Sequence, residues 1–457
     1  MNKAFKKIGL VSLGCPKNTV DSEIVLGNLI SKGYSITSDE AEAEVIVVNT
    51  CGFIASAKEE SIDTILEMAE YKKSGRCQKL IVMGCLSQRY KDEIIKEIPE
   101  IDYLLGAGDF KGVTEIIEST SPFSPPYKGG EKGEVRLQVR EPVFDLNENT
   151  PRILTTPKYT AYLKIAEGCS NRCSFCIIPK IRGTFKSRSA GSIFREAEML
   201  AGQGVKEINL ISQDTTMYGA DAGMKNGLSE LLKGMVKIDG IRWIRLLYCY
   251  PAFLKDDMIN TIKDEEKICK YIDLPLQHSH DEILKNMMRQ ERETEIRDLI
   301  GKIRKMIPGI AIRTAFIVGF PGEADSHFKH LLNFVKEMRF EHLGVFTYSQ
   351  EEGTKAAEMP EQIPEDVKKV RRDAIMKEQK KVSLEINKRF IGTTQDVLIE
   401  GASDDNGLLI SGRMQTQAPE IDGVVYIERS DVSPGDILPV KITKAMEYDL
   451  IGEAKKQ

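Results

Sequence analysis

Three times in the first 85 residues a short aliphatic run ends on a cysteine: IGLVSLGC closing at Cys15, VIVVNTC at Cys51 and KLIVMGC at Cys85. Helical patterns follow at Asp21–Ser31, near Ala55–Tyr71 and near Ser87–Ile98, and Asp102–Gly106 could be a fourth strand. Buried-type strands alternating with helices build a parallel sheet with helices on its faces. In doubly wound sheets the C-terminal strand ends line one crevice, where ligands bind. Cys15, Cys51 and Cys85 are therefore expected to converge, though they lie far apart in the chain. Gly14, Gly52 and Gly84 each flank one of them, which would let backbone approach a bulky group closely. Three thiolates can hold an iron–sulfur cube and leave one iron open, and an open iron could carry an external sulfur. The competing reading is that small apolar thiols pack at strand ends.

A second triad is local. Cys169, Cys173 and Cys176 form a C-x3-C-x2-C run just after a strand candidate at Ala161–Ala166. That spacing wraps three corners of a [4Fe–4S] cube and leaves one iron open. Such an iron can chelate the amine and carboxylate of S-adenosylmethionine (SAM). An electron injected into the sulfonium then breaks a C–S bond and gives a 5′-deoxyadenosyl radical. Phe175 would shield the cluster from water and could touch the adenine. The alternatives are a structural zinc site or unrelated buried cysteines. Structural zinc takes four protein ligands, and the next histidine is as far off as His278. Nine cysteines in 457 residues are too few for a disulfide scaffold. Cys77, Cys249 and Cys269 fit no ligand pattern and read as structural.

From about Tyr159 the alternation resumes, with strand candidates at Ala161–Ala166, Glu207–Ser212, Trp243–Tyr248, Tyr271–Leu276, Arg313–Val318 and Gly344–Tyr348. Six βα units suggest an open or partial barrel with active residues at the strand C-termini. Gln213 and Asp214 could bind the SAM amine or ribose there, although Asp214 could equally be a helix N-cap. Gly319 and Gly322 would admit a ligand close to the backbone, or form a plain turn with Pro321. Arg182 and Arg188 could hold carboxylates of SAM or of a target, or be plain surface charge, and His278 reads as a structural histidine. Ser119–Gly133, rich in Pro, Gly and Ser, reads as a linker. Pro364–Arg389 is a charge-rich helix with apolar positions at Val367, Val370, Ile375 and Met376. Phe390–Gly452 has the short β-runs and tight turns of a small barrel. The expected boundaries are 1–118, a linker and extended segment at 119–150, 151–387 and 388–457.

Composition is that of an ordinary globular chain, 41% hydrophobic and 29% charged. A net charge of −5 offers no global basic field for nucleic acid. No apolar run approaches the roughly 18 residues that span a bilayer, and no targeting pattern is visible, so the cytoplasm is the default. Between 388 and 457 there are eight basic and twelve acidic residues. That balance repels phosphates and attracts a basic protein.

The loop EGCSNRCSFCIIPKIRG resembles the cluster loop of the radical-SAM superfamily, and its Ile-Pro-x-x-Arg-Gly tail is similar to that of the methylthiotransferases. LGCPKNTVDSE, VVNTCGFI and MGCLSQ resemble the N-terminal domain of that family. Its C-P-K-N-x-V-D-S-E form looks like the branch that modifies an aspartate of ribosomal protein S12; the tRNA-modifying branch typically has Gln-Met-Asn after the first cysteine. Similarity runs on through YLKIAEGC, ISQDTTMYG, YIDLPLQH, RTAFIVGFPGE and FTYSQEEGT, then through APEIDGVVYI and PGDILPVKI, which look like a TRAM module.

The resemblance implies an α/β fold: a doubly wound parallel N-terminal domain, a partial (β/α)6 radical-SAM barrel and a TRAM-like β-barrel. It implies two [4Fe–4S] clusters and SAM as cosubstrate. One SAM would methylate sulfur at the auxiliary cluster, and another would supply the radical that abstracts hydrogen from the aspartate β-carbon. The implied partners are S12 or the small ribosomal subunit, a low-potential electron donor and a sulfur source, with tRNA and membrane not expected. The same chemistry on a tRNA adenosine, and a non-catalytic iron–sulfur electron-transfer protein, are the alternatives.

Overall fold

The computed structural model describes residues 7–118, 136–142, 146–147, 150–403, 409–428 and 432–454. The expected linker at 119–133 lies outside the described residues. The chain divides into two units. The first takes in the chain as far as Thr155 together with Ala166–Asn171 and Cys176–Ser192. The second comprises Thr156–Ile165, Arg172–Phe175 and the chain from Ile193 onward.

In the first unit β1 (Lys7–Ser12), β2 (Ser35–Thr37), β3 (Val45–Thr50), β4 (Lys79–Gly84), β5 (Tyr103–Leu105) and β6 (Arg136–Gln138) form one parallel sheet in the order β2-β1-β3-β4-β5-β6. β3 is buried along its whole length, as its run of β-branched residues demands. β2 and β6 were not legible in the sequence, because three-residue edge strands carry too little periodicity. The helix expected from Asp21 starts at Pro16 instead. Proline is favoured at the first helical position, and the Cys15 carbonyl accepts from the amides of Asn18 (2.8 Å) and Thr19 (3.1 Å).

The segment at 151–155, expected to open the central domain, lies along this first helix. Arg152 donates to the fully buried Glu23 at 2.9 and 2.6 Å, and the Thr155 amide donates to the same carboxylate at 2.6 Å. Also in this unit, β8 (Ala166–Glu167) pairs with β9 (Lys186–Ser187) on either side of the cysteine loop.

The second unit carries an open parallel sheet of β7 (Thr160–Lys164), β10 (Glu207–Ile211), β11 (Trp243–Leu246), β12 (Ile268–Asp273), β13 (Ala311–Val318) and β14 (His342–Thr347), hydrogen-bonded in chain order. β12 ends three residues before the expected Leu276, because the chain beyond Asp273 runs extended while bonding outside the regular ladder; the Leu274 amide, for example, donates to the Arg313 carbonyl at 2.7 Å. β15 (Thr394–Ala402), β16 (Leu409–Met414), β17 (Val425–Glu428), β18 (Ile437–Ala445) and β19 (Leu450–Ala454) close a barrel around Val397, Ile399, Val425, Ile427, Val440 and Ile442.

The helix Glu365–Asn387 buries Lys368, Arg371, Ile375, Gln379, Val382 and Ile386, while Val370 is 69% exposed. The inward stripe is thus partly polar. Its charges are partnered: Lys368 donates to the Tyr348 carbonyl at 2.8 Å and Arg371 to Glu323 at 2.9 Å. Among the described residues no helix is long and apolar enough to cross a membrane.

Candidate active site

The strand order of the N-terminal sheet reverses at β1, which has β2 on one side and β3 on the other. Such a switch point opens a crevice beyond the strand C-termini. Cys51 and Cys85 are the residues immediately after β3 and β4, and Cys15 follows β1 as the N-cap of the first helix. The structure brings the three strand ends together: a Cβ on Gly14, beside Cys15, would meet Cys51 Sγ at 3.2 Å, and Cys85 Sγ lies 3.9 Å from Oδ1 of Asn18, three residues after Cys15. Burial pushes the Cys85 thiol up to about 11, with Arg182 opposing and Cys15 and Cys51 adding to the rise. Burial likewise raises Cys51, and Cys15 contributes.

All three flanking glycines are demanded by crowding, and a Cβ at Gly52 would meet the Leu86 amide nitrogen at 2.7 Å. Gly84 has φ of 108°, and a Cβ there would meet the Thr50 carbonyl oxygen at 2.5 Å; at Gly14, φ is 96° and a Cβ would meet Cys51 Cβ at 2.9 Å. Their freedom lets the three strand ends close on each other.

Asn18 ties those ends together. Its amide donates to the carbonyls of Leu13 (2.8 Å) and Thr50 (3.0 Å). Its Oδ1 accepts from Arg182 at 2.5 Å and lies 3.9 Å from Cys85 Sγ. Asn49 donates to the Asn18 carbonyl at 3.0 Å, and Ser61 Oγ brackets Cys51, accepting from its amide at 3.0 Å and donating to its carbonyl at 2.8 Å. Sequence reasoning assigned none of these three a role. The available signal is a polar side chain at an otherwise buried position, on a helix for Asn18 and Ser61 and inside the strand β3 for Asn49.

Arg182 was expected to bind SAM or target carboxylates. In the structure it is buried beside the N-terminal thiols and donates to Asp21 at 2.7 Å, with Glu167 3.5 Å away. Ile177 and Ile181 pack against Cys85, which puts the chain just after Cys176 beside the N-terminal thiols.

Of the cysteine loop, Cys169 is buried, and Cys173 and Cys176 are half-buried. The Cys169 amide donates to the Gly183 carbonyl at 3.1 Å. Phe175 packs with Ile283, Met287, Phe320, Tyr348 and Ala356, an apolar wall suited to excluding water. Gln213 and Asp214 follow β10, and Asp214 is buried and accepts from the Thr216 hydroxyl at 2.5 Å. Arg188 donates to Ser192 Oγ at 2.8 Å. The space a Cβ at Gly319 would take is filled by the Lys368 stem, 2.2 Å away, so packing accounts for that glycine. Cys77, Cys249 and Cys269 are buried.

Four of the five histidines also cluster. His280, Glu282 and His327 offer ligand atoms within 4.8 Å of one another. Yet His280 Nδ1 accepts from the Glu282 amide at 3.3 Å and His327 Nδ1 from the Ala324 amide at 3.1 Å. The neutral rings therefore carry their proton on Nε2, and His327 Nε2 lies 3.3 Å from the Glu282 carboxylate. Both Nδ1 atoms are thus already engaged by backbone amides. His278 is fully buried, and burial holds it neutral.

A three-cysteine loop beyond the first strand of an open six-stranded βα sheet defines an enzyme of the radical-SAM class, here preceded by a second cysteine site on its own sheet. The comparisons agree domain by domain: residues 7–106 match the uncharacterized protein family UPF0004, 163–335 the radical SAM superfamily and 391–454 the TRAM domain. The chain is 51% identical to the ribosomal protein uS12 methylthiotransferase RimO of Geotalea uraniireducens, over 98% of both chains. It is 50% identical to that of Geobacter sulfurreducens, over 99% of both. The chain belongs to the family of ribosomal protein uS12 methylthiotransferases. In fold it is similar to the radical SAM methyltransferase TsrM of Kitasatospora setae, with a TM-score of 0.57 at 14% identity over 88% of this chain and 82% of that one.

Proposed function

We propose that the chain methylthiolates the β-carbon of an aspartate of ribosomal protein S12, with one [4Fe–4S] cluster on Cys169, Cys173 and Cys176 and a second on Cys15, Cys51 and Cys85. The observation that carries this reading is the convergence of three thiols from three separate strand ends, in a chain that already holds a radical-SAM loop. The donor set fits: three soft ligands, a polar frame that fixes their backbones, and a buried cation beside them. When bound, the first cluster would supply the electron that cleaves SAM and the second an iron on which sulfur can wait.

The chain's own residues have simpler tasks. Asn18, Asn49 and Ser61 orient the thiol-bearing turns. Arg182 offsets negative charge beside them, and Phe175 keeps water from the loop. Gln213, Asp214 and Arg188 are the proposed SAM contacts. The reading also takes a low-potential electron donor, a sulfur source and a cytoplasmic setting, with domains divided at 118, 150 and 387.

The test incubates anaerobically reconstituted enzyme with SAM, reductant and S12, and reads the methylthio mass gain on the target aspartate. Gain on tRNA and none on S12 would overturn the substrate. Iron content close to that of wild type in the Cys15/Cys51/Cys85 triple alanine variant would overturn the second cluster.

A further inference from the structure

We propose that Arg289 is a positioning residue for the cluster on Cys169, Cys173 and Cys176, and that its charge makes this cluster easier to reduce. The proposal rests on the ligand assignment above and deepens it. Arg289 is 5% exposed, and its Nη1 lies 3.9 Å from Cys173 Sγ. Its other edges are committed. Nε donates to Glu291 at 2.6 Å, Nη2 to the Pro275 carbonyl at 3.0 Å, and the guanidinium stacks 3.8 Å from the centre of the Tyr250 ring.

The backbone is held just as firmly. The Ser174 amide donates to the Met287 carbonyl at 2.9 Å, Ser174 Oγ donates to that of Asn286 at 2.7 Å, and Met288 adopts the left-handed conformation with φ of 57°. The turn that presents Arg289 is thus fastened to the residue after Cys173.

A neutral thiol is a weak acceptor and gives a buried guanidinium little return for its desolvation. A cysteine sulfur bound to iron is anionic, and it becomes more so when the cluster takes an electron. A fixed cation with an N–H aimed at that sulfur stabilises the reduced state and raises the potential. Glu291 opposes this from the far side of the guanidinium. The two residues should therefore move the potential in opposite directions, a result that a purely structural arginine would not give.

The experiment uses the full-length protein with Cys15, Cys51 and Cys85 changed to alanine, leaving one cluster, in an anaerobic redox titration followed by electron paramagnetic resonance. Arg289→Met is expected to lower the midpoint by about 59 mV or more, a tenfold smaller reduced-to-oxidised ratio at a fixed donor potential. Arg289→Lys should recover part of that, and Glu291→Gln should raise the midpoint. Unmoved midpoints in Arg289→Met and Glu291→Gln, with iron retained, overturn the proposal. If Arg289→Met loses its iron, Glu291→Gln decides alone, and an unmoved midpoint there also overturns it. A parent protein that binds no iron would sink the ligand assignment instead.

Discussion

Glu207 on β10 and Arg413 on β16 meet at 2.6 Å, both sealed from solvent, and so join the central sheet to the C-terminal barrel. Arg245 reaches the same carboxylate at 2.9 Å, and Arg413 extends to Glu400 at 2.6 Å. Burial alone would raise the Glu207 pKa, but Arg413 and Arg245 outweigh it and hold it at about 2. Because the folded value lies below the ordinary 4.5, the stabilisation is complete above pH 4.5 and fades as the pH falls toward 2. Glu207→Gln should cost about 3–5 kcal/mol at neutral pH. Chemical denaturation at pH 7 and pH 3 should show the gap between wild type and variant narrowing in acid.

Arg182 neutralises Asp21 and Glu167 in a dry setting. Arg182→Met should destabilise the iron-free protein by about 3–5 kcal/mol, because two carboxylates stay buried without their cation. Arg182→Lys should restore only part of this, since an ammonium cannot serve Asp21 and the Asn18 side-chain oxygen as a planar fork does. Urea unfolding of the apo forms reads both.

Asn18→Ala would strip the shared donor from the Leu13 and Thr50 carbonyls. A loss of about 1–3 kcal/mol is expected for the unsatisfied groups. With Cys169, Cys173 and Cys176 replaced by alanine, iron bound by the remaining triad should also fall. Full iron retention with unchanged stability would count against the tie.

Replacing Cys15, Cys51 and Cys85 together should separate the two halves of the chemistry. The variant should still cleave SAM to 5′-deoxyadenosine, seen by chromatography, while methylthio transfer to S12 falls below detection. Loss of both activities would show that the triads do not act separately.

Much of this was legible from residue order. Aliphatic runs ending on Cys15, Cys51 and Cys85 announce a parallel sheet and the crevice at its strand ends, and Cys169–Cys176 announces itself by spacing. What escaped was set by tertiary partners. The Glu365–Asn387 helix turns Lys368 and Arg371 inward because Tyr348 and Glu323 wait for them, so a search for apolar periodicity chose Val370 and Met376 instead. Arg182 reads as an anion binder from its motif, and it does meet anions, but they belong to Asp21 and Glu167. Arg289 carries no local signal, since Cys173 lies over a hundred residues upstream. The acidic balance of the barrel is also partly spent within the chain: Glu400 faces Arg413, and Asp422 lies 3.6 Å from Arg313.

Placing the N-terminal thiols on three different strand ends has a consequence for assembly. The three cysteines of the loop from Cys169 to Cys176 lie within eight residues of the chain. The other site does not exist until β1, β3 and β4 have docked in register and Asn18 has bridged them. On the proposed ligand assignment an intact second site would therefore report a finished sheet, and a chain folded wrongly there would keep the loop cysteines while losing the meeting of Cys15, Cys51 and Cys85.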